Sequence, residues 1–424
     1  TRDAARLVGQ LESSARHEME SLMGALSGAY VSPGPAGDAM SNGRGILPTG
    51  RNLYGVETDK IPTQAAYKRG EQAAEALLAA YREDAGRIPE KIAMNLISMD
   101  IARTGGEQMS QFLSLLGVRP IWDGENRVIG LRPVPLEELK RPRLDVTGHI
   151  SSVMRDAWPS AIAMLDRAVH LVAELDEPET MNYVRKNAQT MGEARIFGGA
   201  PGTYTNSVGL ALKASAWKDE RDLARYFIDS SSYVYGDGKQ GEQDVEAFVA
   251  NVRQIDVSCD ITSSRKTDGG ASSYSARVQG GLQMAARLVG GKEIRQYMGE
   301  SSAAREIRVV RMQDHVENAI ADTLLNDFWR EQMMGQGYSG AADLMRRIQT
   351  VFDTQCVLES VSHETLDAIA QQYFLDENMR QWFTEHNSYA LEEGMRRFLE
   401  LETRGKWKAE PETWRKLKSV YLQA

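Results

Sequence analysis

The side chains of this 424-residue chain that could hold a metal or move a proton are six histidines, two cysteines and many carboxylates. Cys259 and Cys356 lie too far apart to make a metal motif or a disulfide framework, and so few thiols suit a reducing compartment. No two histidines are spaced as a local metal pair. His170, His315, His363 and His386 fall in helical stretches among charges and read as solvated or capping residues. His149 differs, because it ends an apolar, strand-sized run, with Asp145 four residues before it and the Arg155–Asp156 pair soon after. Strand ends in α/β units are favoured ligand positions. A neutral imidazole can ligate a metal if its second nitrogen finds an acceptor, and Asp145 shares its face by the strand period of two. The alternative is a histidine that fills core volume and bonds to a loop carbonyl, the commoner role of a lone histidine. There is no phosphate-cradling Gly-Lys-Ser/Thr loop, so no nucleotide is expected on this chain. Zinc-protease, calcium-loop and Cys-x-x-Cys patterns are also missing. Gly198–Gly202 offers a turn or anion nest, a weak signal alone.

The elements that must position these residues change character along the chain. Leu7, Leu11, Met19, Leu22 and Leu26 keep a helical period, followed by a Gly/Pro-rich loop over 31–55 and a helix over 62–83. Strand-sized apolar runs follow at 92–97, 118–122, 128–131 and 144–150, with a short helix over 107–116 stopped by Gly117. From Trp158 the apolar positions Ile162, Leu165, Val169 and Val172 step by four and three, the mark of one helical face. The expected fold class is therefore α/β: a small, partly parallel sheet unit in the N-terminal third and a mostly helical region behind. The expected divisions are a lead-in over 1–84, the α/β unit over 85–157 and the helical part over 158–424, interrupted by a strand at 255–261.

The net charge is −9 and the pI about 5.4. That balance excludes a nucleic-acid backbone as partner, which needs a basic surface. No apolar run approaches the ~18 residues of a membrane span, and a cytoplasmic location is expected. The chain starts at Thr1 without a signal-like stretch, which reads as a fragment or a processed chain.

Many blocks, in one order, resemble the CobN/magnesium chelatase family, the large tetrapyrrole-binding component of metal chelatases, in its C-terminal part. They include Leu47-Pro-Thr-Gly-Arg-Asn52, Pro33-Gly-Pro-Ala-Gly-Asp38, Leu116-Gly-Val-Arg-Pro120, Arg141-Pro-Arg-Leu-Asp-Val146, Arg155-Asp-Ala-Trp-Pro159, Met181-Asn-Tyr-Val-Arg-Lys186, Arg195-Ile-Phe-Gly198 and Arg404-Gly-Lys-Trp407. The resemblance covers essentially the whole chain. It implies a tetrapyrrole-binding subunit that inserts a divalent metal, cobalt or magnesium, with ATP hydrolysed on separate AAA+ partner subunits and an N-terminal part of the same polypeptide completing the pocket. It also leaves room for a relative that removes iron from haem, or for a non-catalytic tetrapyrrole binder.

Under the resemblance, Glu107, Asp145 and His149 are the expected catalytic residues, Glu107 and His149 the metal contacts, and Arg51, Arg155, Asp156 and Arg195 the tetrapyrrole-binding set. Glu107, Asp145, His149, Arg155 and Asp156 are expected to converge on one cleft at the strand ends. If the tetrapyrrole carries iron, His149 is its expected axial ligand. The chain departs from the family pattern at Thr104-Gly-Gly-Glu107, which lacks a histidine, and at His149, where cobalt-type relatives carry arginine. It departs also at Ser151-Ser-Val-Met-Arg-Asp156, at Arg265-Lys-Thr-Asp268 with Ala271-Ser-Ser-Tyr-Ser275, and at Gly335-Gln-Gly-Tyr338.

Overall fold

The computed structural model describes residues 2–35, 46–54, 57–262, 273–301 and 306–422. Eight strands make its main sheet: β1 (Lys91–Leu96), β2 (Asp145–Ile150), β3 (Ile196–Gly198), β4 (Tyr233–Gly236), β5 (Lys239–Gln243), β6 (Val257–Thr262), β7 (Arg295–Glu300) and β8 (Arg308–Arg311). Their order is β8-β7-β6-β1-β2-β3-β4-β5. The five from β7 to β3 are parallel, and β8, β4 and β5 run antiparallel to their neighbours at the edges. Val118–Trp122 and Val128–Pro133 form a separate hairpin.

The sheet is larger than the sequence suggests. It extends to Arg311, taking five short strands from the stretch expected to be helical. The reason is local. β3 is three residues long, and Tyr233-Val-Tyr continues the apolar spacing of the preceding helix until Gly236 and Gly238 turn the chain into a hairpin. β7 reads Arg-Gln-Tyr-Met-Gly-Glu, with little apolar signal to mark it.

Helices cover both faces. α1 (Arg2–Leu26) lies before the sheet. α2 (Gln64–Ala85), α3 (Ser98–Thr104), α4 (Glu107–Leu116) and α5 (Pro159–Ala173) serve one side. Thr63 caps α2 by accepting from the Ala66 amide at 3.1 Å, so Pro62 lies just outside that helix. α6 (Ser207–Lys213), α7 (Glu220–Ser231), α8 (Val245–Gln254) and α9 (Ser273–Gly290) serve the other. α10 (Met312–Asp322), α11 (Tyr338–Leu358) and α12 (Glu377–Thr403) build a helical layer beyond them. Every residue of β1, β2 and β6 is buried, as a parallel sheet covered on both faces requires. Ile92, Met94, Leu96, Val146 and Ile150 point into the α2–α4–α5 core, and Ala93, Phe197 and Met298 into the larger α7–α9 core.

Candidate active site at the carboxyl edge of the sheet

The parallel strands have two ends, and the expected site residues are divided between them. Asp145 is the first residue of β2, at the amino end. Its carboxylate takes Lys91 Nζ at 2.6 Å, Arg195 Nε at 2.7 Å and Asn187 Nδ2 at 2.8 Å, all out of reach of solvent. Burial pushes the Lys91 amine down to about 7. Burial alone would raise the Asp145 carboxyl, but Arg195 and Lys91 hold it below the usual carboxylate range. Asp145 and Arg195 thus form a buried ion cluster far along the strand from any carboxyl-end cleft.

His149 sits on the same strand face as Asp145, near the carboxyl end, beneath α7. Its Nε2 pairs with Ser231 Oγ at 3.2 Å and its ring stacks on Phe227 with centroids 5.8 Å apart. An axial-ligand role would require the ring to leave this packing. Burial drives the imidazole down to about 4 from 6.5, so it is neutral in the fold. The sign of the consequence follows. The unfolded chain takes up a proton first as pH falls, so stability is full above pH 6.5 and is lost progressively toward pH 4. The loss should be on the order of 3 kcal/mol. Urea unfolding at pH 7 and pH 4.5 checks it, and His149→Gln, which keeps a partner for Ser231 without titrating, should flatten that part of the profile.

Glu107 opens α4 on the opposite face of the sheet from His149, so the two do not share a cleft. Its carboxylate takes Arg69 Nε and Ser301 Oγ, both at 2.5 Å, and Arg69 Nη2 reaches the same serine at 2.7 Å. The turn before it has Gly105 at φ +70° and Gly106 at φ +102°, and a Cβ at Gly106 would stand 2.7 Å from Ile61 Cγ2. That is the backbone reason for the Gly-Gly pair.

Arg155 and Asp156 do meet, at the carboxyl end beyond β2. Arg155 pairs with Asp156 through Nε at 2.6 Å and Nη2 at 3.0 Å, and its Nη1 donates to the carbonyls of Ala200 at 2.6 Å and Thr203 at 3.1 Å. The guanidinium is thus engaged in fastening the loop after β3. Arg51 donates to the Ile46 carbonyl at 3.0 Å within the N-terminal segment, apart from the others. Residues 36–38 of the Gly/Pro/Asp block, all of Arg265–Asp268 and Ala271–Ser272 lie outside the described residues.

The site that the fold itself marks is elsewhere. From β1 the chain moves to β2 and β3 on one side, while β6 and β7 stack on the other. The β1/β6 boundary is therefore the point where strand order reverses, which is where ligands sit in open α/β sheets. A crevice of about 80 Å³ opens there, lined among others by Asp100, Arg103, Asp260, Thr262, Ser275 and His315. Asp260 is its centre. Oδ1 accepts from Gln108 Nε2 at 2.7 Å and from the Ile261 amide at 2.8 Å, and Oδ2 from Asn95 Nδ2 at 2.9 Å and Ser275 Oγ at 2.5 Å. His315 Nδ1 pairs with Glu300 Oε1 at 2.9 Å, and the ring is 1% exposed. It is neither solvated nor a cap. Sequence reasoning missed Asp260, though a carboxylate inside the apolar strand 255–261 is a readable signal, since buried acids need dedicated partners. For His315 the helical spacing gives no such signal.

Among the described residues no three His, Cys, Asp or Glu side chains converge to hold a metal ion, and no helix is long and apolar enough to cross a membrane.

Residues 2–414 match the family model for CobN/magnesium chelatase. An uncharacterized protein of Methanocaldococcus jannaschii is 38% identical over 96% of this chain and 34% of its own length. The aerobic cobaltochelatase subunit CobN of a Sinorhizobium species is 30% identical over 95% of the chain and 33% of its own. The catalytic subunit of cobaltochelatase from Mycobacterium tuberculosis superposes with a TM-score of 0.92 at 32% identity, covering 97% of this chain and 36% of that one. The chain thus spans about a third of the length of these relatives. With the family model matched from near one end to the other and the fold reproduced in a solved relative, the chain belongs to the CobN/magnesium chelatase family.

Proposed function

We infer that this chain is the part of a chelatase large subunit where a divalent metal substrate, cobalt or magnesium, is exchanged for the two N–H protons of a tetrapyrrole. As the family resemblance implies, ATP is hydrolysed on AAA+ partner subunits, in keeping with the lack of a phosphate-cradling loop. One observation carries the reading. At the strand-order reversal, Asp260 and Asp100 share a crevice with His315, which Glu300 orients. Glu107 lies one residue before Gln108, the residue that grips Asp260.

Insertion releases two protons for each metal ion taken up. Carboxylates and a carboxylate-paired imidazole are the groups that accept them, and oxygen and nitrogen donors suit the hard or borderline cation on its way in. Glu107, fixed by Arg69 and Ser301, is the proposed relay from the crevice outward. Arg155 and Asp156 serve by holding the loop after β3 in place rather than by gripping a ring carboxylate.

The test is reconstitution of the full-length protein with its ATPase partners, ATP, cobalt or magnesium, and either protoporphyrin or a corrin precursor. Insertion is followed by the change in visible absorption. Turnover with one metal–ring pair supports the reading. No turnover with any pair sinks it, whether or not a ring binds.

A further inference from the structure

A second pocket lies at the other end of the same strands. It opens where β7 begins, β8 ends and α10 starts, and its volume is about 370 Å³, within the ~300–1,000 Å³ common for small-molecule sites. Arg295 is the first residue of β7 and Arg311 the last of β8. Both line the pocket, together with Met312 and Gln313 of α10 and Ser360, two residues past the end of α11. α10 joins this pocket to the crevice: its first turn lines the one, and His315, three residues on from Met312, lines the other.

The charges already matched across this pocket leave one over. Its two acids, Asp84 and Glu359, are both engaged. Asp84 accepts from Arg311 Nε at 3.0 Å and from the Tyr297 hydroxyl at 2.5 Å, and the two hold its carboxyl below the usual carboxylate range. Glu359 pairs with Lys406. Arg311 is therefore neutralised by Asp84. Arg295 is not neutralised. Its guanidinium lies over the Tyr81 ring, 5.6 Å from the centroid, and reaches the Asp84 carbonyl at 3.4 Å, with no carboxylate partner among the described residues. A guanidinium has five donors, so most of this one's remain for a ligand.

Two further donors stand beside it. α10 runs for eleven residues, and no side chain caps its start at Arg311. Its first amides and the positive end of its dipole thus lack a protein acceptor at the place where Met312 and Gln313 line the pocket. Ser360 is 6% exposed, yet its Oγ has no hydrogen-bond partner among the described residues. A buried hydroxyl is normally paired, and an acceptor seated in the pocket would pair this one.

We propose that this pocket binds a phosphoryl dianion, free or as the ester end of a small polar molecule, between Arg295, the first turn of α10 and the Ser360 hydroxyl. Arg295 donates charge-assisted hydrogen bonds, the helix amides donate to a second oxygen, and Ser360 donates to a third. Donors from three separate elements suit a tetrahedral oxyanion, whereas a planar carboxylate is matched by a single guanidinium fork. The inference does not rest on the chelatase reading, since binding is read without metal, ring or turnover.

Calorimetric titration of the 424-residue chain with inorganic phosphate and with glycerol phosphate, at constant ionic strength and against chloride, tests it. One saturable site is expected for at least one of the two phosphates and none for chloride. Arg295→Gln should weaken it about tenfold or more, and Ser360→Ala about threefold to tenfold. Ser360→Ala removes a hydroxyl that has no protein partner, so its melting temperature should not fall, which separates a ligand role from a structural one. Lys218→Gln, which removes an exposed cation outside the pocket, should leave binding unchanged. Tighter binding of the ester assigns an esterified ligand and tighter binding of phosphate the free ion, and the site stands in both cases. No saturable binding of either phosphate, equal binding of chloride, equal weakening in Lys218→Gln, or binding indifferent to Arg295→Gln or to Ser360→Ala overturns it.

Discussion

Asp145→Asn should destabilise the fold by about 3–5 kcal/mol, the range for removing one partner of a buried ion pair. The substitution is nearly isosteric, so packing changes little. What changes is charge: Lys91 and Arg195, 0% exposed both, are left without an anion. The cluster already holds two cations to one carboxylate. Arg195 alone can neutralise Asp145, which makes Lys91 the surplus charge, and burial has pushed its amine down to about 7 from 10.5. The sign follows. Between those values the unfolded chain binds a proton that the folded chain does not, so stability rises with pH from about 7 upward. The deficit of Asp145→Asn should therefore shrink in alkali, because Lys91 can shed its proton and Arg195 cannot. Lys91→Met should flatten the alkaline rise and cost far less than Asp145→Asn. Guanidinium unfolding at pH 6.5 and pH 9 reads all three proteins. A deficit in Asp145→Asn that grows with pH would contradict this assignment of charge.

Asp145 also shows what the sequence could and could not carry. The period of two correctly places it on the same strand face as His149, but a strand has two ends, and periodicity does not say which residue lies at the ligand end. Asp145 begins its strand, so the chemistry expected of it becomes a structural ion cluster. The helix over 107–116 is legible to its last residue because Gly117 stops it in the left-handed conformation at φ +73°. β3 and β7 are not legible, one because three residues carry no period and the other because its residues are mostly polar. Their absence from the reading has a direct effect on the site. Without β7 beside β6 there is no reversal of strand order between β1 and β6, and hence no reason to look at Asp260. Site and topology were missed together, for the same reason. Glu107 and His149 separate for a further reason: one opens a helix lying on the sheet, the other lies within the sheet, and which face each belongs to is decided by long-range packing.

Asp260→Asn should lower the turnover of metal insertion by about 10²–10⁴, the contribution of a positioned proton acceptor, while tetrapyrrole affinity stays within about threefold. The local structure can absorb the exchange. Among the described residues, four donors reach the carboxylate, and an amide accepts at only one end. The Gln108 and Ile261 donors can keep the oxygen. On the other side, Ser275 can turn its hydroxyl to accept, and Asn95 can rotate its amide, whose Oδ1 has no partner among the described residues, to face the new NH2. The fold therefore survives with the charge gone, and melting should shift by only a few degrees, as for a loss of about 1–2 kcal/mol. The split between kcat and binding separates a proton role from a merely structural one: a structural defect lowers both, whereas loss of the acceptor lowers kcat alone. The pH profile gives a second readout. If Asp260 accepts a pyrrole proton, the acid limb of kcat in the native protein reports that acceptance and disappears in Asp260→Asn. A variant with the native kcat and an unchanged acid limb would remove Asp260 from the reaction and leave the His315–Glu300 pair as the acceptor at this edge of the sheet.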